Sequence, residues 1–305
     1  MLLKFAIKDY IDDRKFKNLS ENTIDDYITT LKEFKKFCID QQKVNIEDIT
    51  TSDIKSYLIS RQEKGNKPAT INHHIGNIRT FFKYLVDCGY IMKSPAENLK
   101  KIKTDIKIET FTENQIMQML KYYSRMKNRD KTFFAYRDYT MIVTLLGTGI
   151  RRGELINLRW KDIDLINNGV TIFGKARKQR TIPITEKLRK ELMEYQIFCQ
   201  QKIKNITQDS YVFCDLNGKQ LTTNAINQIF KRIKKVMNFK DVRLSAHTFR
   251  HTFAKNWIMN GGDVFSLQRI LGHSTLDMTN VYVSLFGSAL KQQNDKFNPL
   301  NNIEI

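Results

Sequence analysis

Cysteine is scarce in this sequence, and its four residues lie far apart. Cys38, Cys88, Cys199 and Cys214 form no C-x-x-C pair, which argues against both a disulfide framework and a cysteine-rich zinc site. We therefore expect four reduced thiols, as is typical of a cytoplasmic protein.

Long apolar runs are missing as well. No stretch approaches the roughly 18 apolar residues of a membrane-spanning helix, and the N-terminal MLLKFAIKDYIDD meets acidic residues too early for a secretory signal. We accordingly expect no membrane partner. The chain of 305 residues is nevertheless 41% apolar and 11% aromatic, which is enough material for the cores of one or two domains.

Negative charge is in short supply relative to positive charge. The formal net charge is +19, a basic excess that is typical of proteins with nucleic-acid partners. Residues 1–103 carry 19 Lys and Arg against 14 Asp and Glu, whereas residues 104–305 carry 32 against 18. We therefore expect the stronger phosphate-binding surface in the second part of the chain.

The apolar pattern predicts helices in the first hundred residues. Ser20 precedes apolar residues at helical spacing, a second helix starts near Thr51 or Ser52, and a third begins around Pro68. The polar, basic segment 93–107 contains a proline and predicts a linker. We place a domain boundary near residue 104.

The second part predicts further helices around one β-hairpin. Thr112 and Gln115 form a capping-box pattern, and another helix spans about 135–146. Between residues 169 and 184 the apolar period changes to two around a Gly174-Lys-Ala-Arg-Lys tip, which predicts an antiparallel hairpin. Later helices are expected over 185–203, 223–237, 247–259, 263–271 and 275–284. The predicted fold class is mainly α with a small antiparallel β-sheet, in which an all-α N-terminal domain precedes an α+β domain.

Three polar residues of the second part could carry chemistry, although each has a plain structural interpretation. Arg151 follows Gly147-Thr-Gly149, which fits neither a dinucleotide fingerprint nor a P-loop and could form only a solvated corner. Lys175 at the hairpin tip could belong to a charge run on an exposed turn. Tyr282 lies among apolar neighbours and could be a core residue with a hydrogen-bonded hydroxyl.

The histidines leave a metal site as an alternative. His247 and His251 are four residues apart on a predicted helix, and His273 could be a third ligand. The H-T-F-R-H segment lacks the glutamate of H-E-x-x-H, however, and Arg250 inside the site would repel a cation. We favour a site without metal or other cofactor, in which His247 and Arg250 address one anion.

In combination these residues supply what metal-free phosphoryl transfer needs. The requirements are fixed cations for the developing charge, proton donors and acceptors, and an oxygen nucleophile. Asp162 and Asp164 are the nearest pair of carboxylates, and their position before the hairpin is more consistent with a turn than with a Mg²⁺ site. The candidates are Arg151, Lys175, His247, Arg250, His273 and Tyr282.

The same residues resemble the active-site signature of the tyrosine recombinases, also called the phage-integrase family. Thr148-Gly-Ile-Arg-Arg-Gly-Glu-Leu155, Gly174-Lys175, His247-Thr-Phe-Arg250-His-Thr-Phe-Ala254 and Leu271-Gly-His273 follow the family's order, and Tyr282 comes nine residues after His273. The resemblance covers nearly the whole chain and is closest to compact Xer-type enzymes. It implies a SAM-like core-binding domain over 1–103 and a catalytic domain with a C-terminal tail over 108–305.

The resemblance also implies a mechanism without metal or ATP. Tyr282 would attack the scissile phosphate, form a 3′-phosphotyrosyl bond and release a 5′-hydroxyl. Arg151, Arg250 and His273 would bind the non-bridging oxygens, since guanidinium groups suit phosphate geometry.

Proton transfer and orientation fall to the remaining residues of the signature. Lys175 would protonate the leaving 5′ oxygen, and His247 would assist proton transfer at the nucleophile. Glu154 would orient neighbouring groups of the site, Arg151 among them.

The partner that the resemblance implies is a double-stranded DNA recombination site. It would be held by a homo-tetramer, or by a hetero-tetramer with a paralogue, on the nucleoid in the cytoplasm. The recombination would serve integration and excision of a mobile element or resolution of DNA dimers; the alternatives are a non-cutting architectural DNA-binding protein and a type IB topoisomerase. Further DNA contacts are expected from Lys67, Arg79, Arg177, Lys178, Arg180 and Lys231.

Overall fold

The computed structural model describes residues 1–104, 108–174, 179–286, 294–295 and 298. Its contacts divide the chain into two units, Met1–Ile106 and Lys107–Ile305. The described residues form twelve α-helices and one small antiparallel sheet, which confirms the predicted fold class. None of the helices described is long and apolar enough to cross a membrane.

The first unit consists of four α-helices and a short 3-10 turn. Its α-helices are α1 (Leu3–Phe16), α2 (Glu21–Asp40), α3 (Thr51–Glu63) and α4 (Pro68–Asp87). The starts predicted at Thr51 and Pro68 are confirmed, whereas α1 had not been assigned from the pattern. Thr50 caps α3, because its side chain accepts a hydrogen bond from the backbone of Asp53 while the Asp53 carboxylate accepts one from the backbone of Thr50.

Aromatic side chains fill the core of the first unit. Tyr10, Phe34, Tyr57, Phe81 and Phe82 are all almost completely buried. Their rings meet edge to face, with centroid separations of 5.2–6.2 Å for the Tyr10–Phe81, Phe34–Tyr57 and Phe34–Phe82 pairs. Such pairs contribute about 0.5–1.5 kcal/mol each beyond the burial of their area, so the unit has a well-defined core.

The second unit begins with a capped helix, as predicted. Thr112 and Gln115 form the expected capping box at the start of α5. The helices of this unit are α5 (Glu113–Asp130), α6 (Phe133–Thr148), α7 (Arg152–Asn157), α8 (Glu186–Lys202), α9 (Thr223–Met237), α10 (Ala246–Met259), α11 (Val264–Leu271) and α12 (Asp277–Phe286).

The sheet lies between α7 and α8 and has the antiparallel order β1-β2-β3. Its strands are β1 (Ile163–Asp164), β2 (Gly169–Phe173) and β3 (Gln179–Pro183), with Val170 opposite Ile182 and Ile172 opposite Arg180. The predicted hairpin is confirmed over these strands; its tip, residues 175–178, lies outside the described residues.

Asp162 and Asp164 stabilise local turns, as the sequence predicted. Asp164 ends β1, although its carboxylate also accepts hydrogen bonds from the backbone of Ile166 and Asn167, as a turn residue would. The Asp162 carboxylate accepts a hydrogen bond from the backbone of Arg159 at the start of a 3-10 turn. Both carboxylates therefore serve local structure.

Two apolar clusters hold the second unit together. The larger one surrounds Trp160, Tyr195, Phe213 and Phe249, all nearly fully buried. The smaller one is formed by α10, α11 and α12, and its buried members are Ala254, Ile258, Leu267, Leu271 and Tyr282. The smaller cluster fixes the three helices that carry most of the candidate site.

Candidate active site

Arg151 lies in the tight connection between α6 and α7. Gly149 ends α6 with a positive φ of 62°, and Arg151 is the residue immediately before α7. The backbone N–H of Arg151 donates to Glu154 Oε2 over 2.8 Å, and its Nη1 donates to Glu154 Oε1 over 2.9 Å. Its Nη2 donates to the carbonyl of Gly272 over 3.0 Å, so the guanidinium is held from two sides.

Arg250 is positioned by backbone carbonyls. It belongs to α10 and is 4% exposed. Its Nη1 donates to the Gly149 carbonyl over 3.0 Å and its Nη2 to the Leu271 carbonyl over 2.8 Å. Because Arg151 and Arg250 are both bound to the α11–α12 connection, at Gly272 and Leu271 respectively, the two guanidinium groups converge on one region.

A third arginine supports the other two. Arg180 on β3 makes a two-point ion pair with Glu154, and its Nε donates to the Ile270 carbonyl over 2.8 Å. Its side chain is only 14% exposed. The DNA contact predicted for Arg180 stays a prediction; the partners observed here give it a positioning task inside the site.

Gly272 allows this arrangement for two reasons. It ends α11 with a φ of 63°, a conformation that favours glycine. A Cβ atom at Gly272 would also lie 3.0 Å from Cζ of Arg180. The absence of a side chain therefore lets the Arg180 guanidinium pack directly on the backbone that also binds Arg151.

Glu154 is the carboxylate shared by Arg151 and Arg180. Burial by itself would raise its pKa, but the hydrogen bonds from Arg180 and from the Arg151 backbone outweigh this and hold the pKa below its ordinary value. Glu154 is therefore charged at neutral pH. One carboxylate beside three arginines leaves the site with net positive charge, which favours an anionic ligand.

His273 and Tyr282 are close to each other in the α11–α12 corner. His273 Nδ1 is hydrogen-bonded to the Thr279 hydroxyl over 2.9 Å, which fixes the orientation of the ring. The His273 and Tyr282 rings are nearly parallel, with centroids 6.4 Å apart. Tyr282 is 4% exposed, yet charge interactions with Arg250 and Arg151 reach its hydroxyl, so burial has not separated it from the arginines.

The imidazole that contacts the Tyr282 hydroxyl belongs to His251. The distance between His251 Nδ1 and Tyr282 Oη is 2.7 Å. The resemblance had given proton transfer at the nucleophile to His247, whose ring centroid lies 6.4 Å from that of His251. His247 and His251 both line a cavity of about 600 Å³ beside α9 and α10, together with Arg152, Lys231, Lys234 and Arg243. The role expected for His247 stays a prediction.

The pKa shifts in the site follow from burial and from its net positive charge. Burial, followed by the charges of Arg250 and Arg151, lowers the pKa of His273 to about 4. Burial and the neighbouring cations also lower the pKa of His247 and that of His251, while burial and Arg151 lower the pKa of Arg250 to about 10. Burial raises the pKa of Tyr282 despite the arginines. Clustered shifts of this kind are typical of functional sites.

Five of the six candidate catalytic residues are described, and four of them converge. Arg151, Arg250, His273 and Tyr282 meet around the α11–α12 connection, and His247 lies on the adjoining cavity wall. Lys175, Arg177 and Lys178 lie outside the described residues. Within the described part of the chain, no group of three or more His, Cys, Asp or Glu side chains is arranged to hold a metal ion.

The other predicted DNA contacts are dispersed. Lys67 precedes α4 and Arg79 lies on α4, both on the surface of the first unit. Lys231 on α9 lines the cavity beside His247. Whether these three residues touch DNA stays a prediction.

Sequence reasoning missed three residues of the site: Arg180 as the second partner of Glu154, Thr279 as the partner of His273, and His251 as the partner of Tyr282. The spacing of four between His247 and His251 indicated a metal pair as the alternative interpretation. Helix packing brings His251 to a residue 31 positions later, which no local pattern indicates.

Family models match both units of the chain. The model of the phage integrase family matches residues 109–287, and that of the phage integrase N-terminal SAM-like domain matches residues 7–89. Tyrosine recombinase XerD of Staphylococcus haemolyticus (strain JCSC1435) is 30% identical over 284 residues, which cover 93% of this chain and 94% of the relative. The XerD protein of Staphylococcus aureus (strain Mu50) is 29% identical over the same length and with the same coverage.

Solved structures share the fold. The Tn1549 transposon integrase in complex with a circular intermediate DNA has a TM-score of 0.77 at 23% identity, covering 92% of this chain and 94% of that one. The XerH site-specific recombinase bound to palindromic difH substrate has a TM-score of 0.75 at 20% identity, covering 94% and 82%. Since the family model spans more than half of the 305 residues and the XerD relative nearly all of them, the chain belongs to the phage integrase family, the tyrosine recombinases.

Proposed function

We propose that this chain is a site-specific DNA recombinase that cleaves and rejoins strands through a 3′-phosphotyrosyl intermediate on Tyr282. The observation that carries the proposal is the convergence of Arg151 and Arg250 on the α11–α12 connection, which also bears His273 and Tyr282. Rigid guanidinium groups placed before the reaction stabilise charge where it develops on phosphate oxygens. Removing one donor of this kind typically costs about 10²–10³ in rate.

The covalent step conserves the energy of the broken bond. Tyr282 Oη forms a bond to phosphorus while the bond from phosphorus to the 5′ oxygen breaks, and the leaving oxygen takes up a proton. Attack by the 5′-hydroxyl of a partner strand reverses the step and releases the tyrosine. No ATP is required for rejoining. Lys175, the proposed donor of the proton, lies outside the described residues, and its role is part of this proposal.

A duplex recombination site is the proposed partner. Related structures carry DNA: the Tn1549 integrase holds a circular intermediate, XerH a difH substrate and a λ integrase dimer a core site. The net charge of +19 and the basic cavity around Lys231 suit such a ligand. We further propose that protomers assemble as a tetramer on two synapsed sites, on the nucleoid. Chemical crosslinking with and without DNA tests the tetramer.

The proposed reaction is tested by covalent trapping. Duplexes bound by the protein are selected from a random-sequence library, and a nick is placed on the 3′ side of each candidate position in turn, so that the short fragment bearing the new 5′-hydroxyl dissociates after cleavage. Wild type in EDTA is expected to form an SDS-resistant protein–DNA adduct, and Tyr282→Phe is expected to bind the same duplex without forming one.

The outcomes also separate the rival functions. Binding with no adduct from wild type at any nick position would leave an architectural DNA-binding protein and end the enzymatic proposal. Adduct formation with relaxation of any supercoiled plasmid, but without exchange between two selected sites, would favour a type IB topoisomerase. Exchange of flanking sequences between two such sites supports recombination.

A further inference from the structure

His251 occupies a place in the site that the motif roles leave unassigned. It follows Arg250 on α10, and its Nδ1 lies 2.7 Å from the hydroxyl oxygen of Tyr282 on α12. The two ring centroids are 5.7 Å apart. The His273 ring lies nearly parallel to the Tyr282 ring at a centroid separation of 6.4 Å, and its Nδ1 is hydrogen-bonded to Thr279.

The protonation states define the direction of this hydrogen bond. Burial raises the pKa of Tyr282, so its phenol keeps its hydrogen at neutral pH. Burial, then His247 and Arg250, lowers the pKa of His251, so its imidazole is neutral. When both groups are neutral and the phenol donates, Nδ1 accepts and Nε2 carries the ring hydrogen.

The surroundings of the pair are cationic. The titratable and charged groups that face it are Arg250 and His247 on α10, Arg151 at the start of α7, and His273 after α11. Lys255 lies farther along α10, over the ring of Phe286. A positive charge on His251 is therefore unfavourable until an anion enters the site.

We propose that His251 is a further catalytic residue, which holds the Tyr282 hydroxyl and accepts its proton during strand cleavage. The proposal rests on the proposed function. As the Oη–P bond forms and the bond from phosphorus to the 5′ oxygen breaks, the phenol proton moves to His251 Nδ1. In rejoining, the tyrosine oxygen leaves phosphorus and takes the proton back. The negative charge of the phosphate stabilises the imidazolium of His251. Proton transfer from Tyr282 to His251 is therefore favoured only when DNA is bound.

Two substitutions of His251 separate its hydrogen bond to the Tyr282 hydroxyl from its acceptance of the phenol proton. His251→Asn places an amide oxygen near the position of Nδ1 and keeps a hydrogen-bond acceptor without a base, whereas His251→Ala removes both. In single-turnover cleavage of the nicked duplex, both variants are expected to be slower than wild type by about 10²–10⁴-fold. Wild-type cleavage should fall at low pH as His251 becomes protonated, and His251→Asn should lack that inflection. Thermal unfolding and duplex affinity of each variant establish that it is folded and binds.

A change in the nucleophile tests the proton transfer itself. Site-specific replacement of Tyr282 by 3,5-difluorotyrosine lowers the phenol pKa, so the reaction depends less on a base. The deficit of His251→Ala relative to the His251 protein should then shrink at least about tenfold. If the His251 variants cleave slowly but keep the wild-type pH profile, and if 3,5-difluorotyrosine does not restore their rate, His251 contributes to packing and does not accept the proton. Variants that cleave as fast as wild type would overturn the proposal while leaving the recombinase function intact; absence of any wild-type adduct would instead refute the function.

Discussion

Arg180 and Glu154 form a two-point ion pair in the interior of the second unit. The Nη1–Oε1 distance is 3.0 Å and the Nη2–Oε2 distance is 2.8 Å. The same carboxylate also binds the backbone and the guanidinium of Arg151. Glu154 thus connects β3 to the turn that carries Arg151, and the position of Arg151 depends on a residue that need not touch substrate.

We expect Glu154→Gln to slow cleavage more than it weakens DNA binding. The substitution keeps the shape of the side chain but leaves Arg180 and Arg151 without a buried counter-charge. Breaking a buried pair in this way costs about 3–5 kcal/mol of unfolding free energy. Denaturant unfolding and adduct formation measure the two effects. The matched control is Glu186→Gln, which removes an ion pair to Arg189 from a carboxylate that is 59% exposed and should leave the unfolding free energy nearly unchanged. Equal losses for the two variants would contradict the role of Glu154.

Gly149→Ala is expected to damage the site from a distance. Gly149 has a φ of 62°, and an added Cβ would lie 2.8 Å from Cδ1 of Phe253 and 3.0 Å from Cδ2 of Leu271. Strain of about 1–2 kcal/mol from the backbone adds to about 1–3 kcal/mol from overpacking. Because the Gly149 carbonyl accepts a hydrogen bond from Arg250, cleavage should fall together with stability.

The control for this prediction is Gly261→Ala. Gly261 has a φ of 78°, but an added Cβ there would meet no atom within 4 Å. Gly261→Ala should therefore lower stability by the backbone strain alone, without overpacking, and should cleave DNA at the wild-type rate. Similar thermal shifts and similar cleavage rates for the two variants would show that the contacts of Gly149 do not matter.

Most helices of the second unit could be predicted because their apolar residues recur at helical spacing between clear caps. The helix predicted over 223–237 begins and ends at those residues, and α10 starts one residue before its predicted position. The motif likewise indicated Arg151, Arg250, His273 and Tyr282, because their local sequences are specific in combination.

The supporting residues could not be predicted in the same way. Arg180 alternates in phase with Ile182, a spacing of two that puts both on the inner face of β3, yet its charge beside the hairpin tip led to the prediction of a DNA contact. His251 meets Tyr282 only because α10 and α12 pack together, and that packing depends on the buried cluster around Leu267 and Leu271. Pairings of this kind follow from tertiary geometry.

Stability should fall with acid because of His273. Its pKa is lowered from 6.5 to about 4 in the folded protein, so the unfolded chain binds more protons between these values. The contribution of His273 is therefore complete above about pH 6.5 and is lost as the pH falls toward 4. His247 and His251 act in the same direction.

His273→Asn should accordingly flatten the dependence of unfolding free energy on pH in this range. Chemical denaturation at several pH values measures the slope. In wild type, a bound duplex should raise the pKa of His273 toward its ordinary value, because a phosphate offsets the arginines; NMR of the labelled imidazole detects this shift. A slope unchanged by the substitution would mean that His273 is not held neutral.

Lys231 lines the basic cavity beside the catalytic residues, so its substitution tests whether this cavity binds DNA. The cavity of about 600 Å³ is also lined by Arg152, Lys234 and Arg243, a density of cations that suits the DNA backbone. If Lys231 binds one phosphate, Lys231→Gln should weaken duplex binding a few-fold and reduce the slope of log K against log salt by about 1. Lys231→Arg retains the charge and should keep the wild-type slope. Fluorescence anisotropy over a salt series measures both variants, and a Gln variant with the wild-type slope would remove Lys231 from the DNA-binding surface.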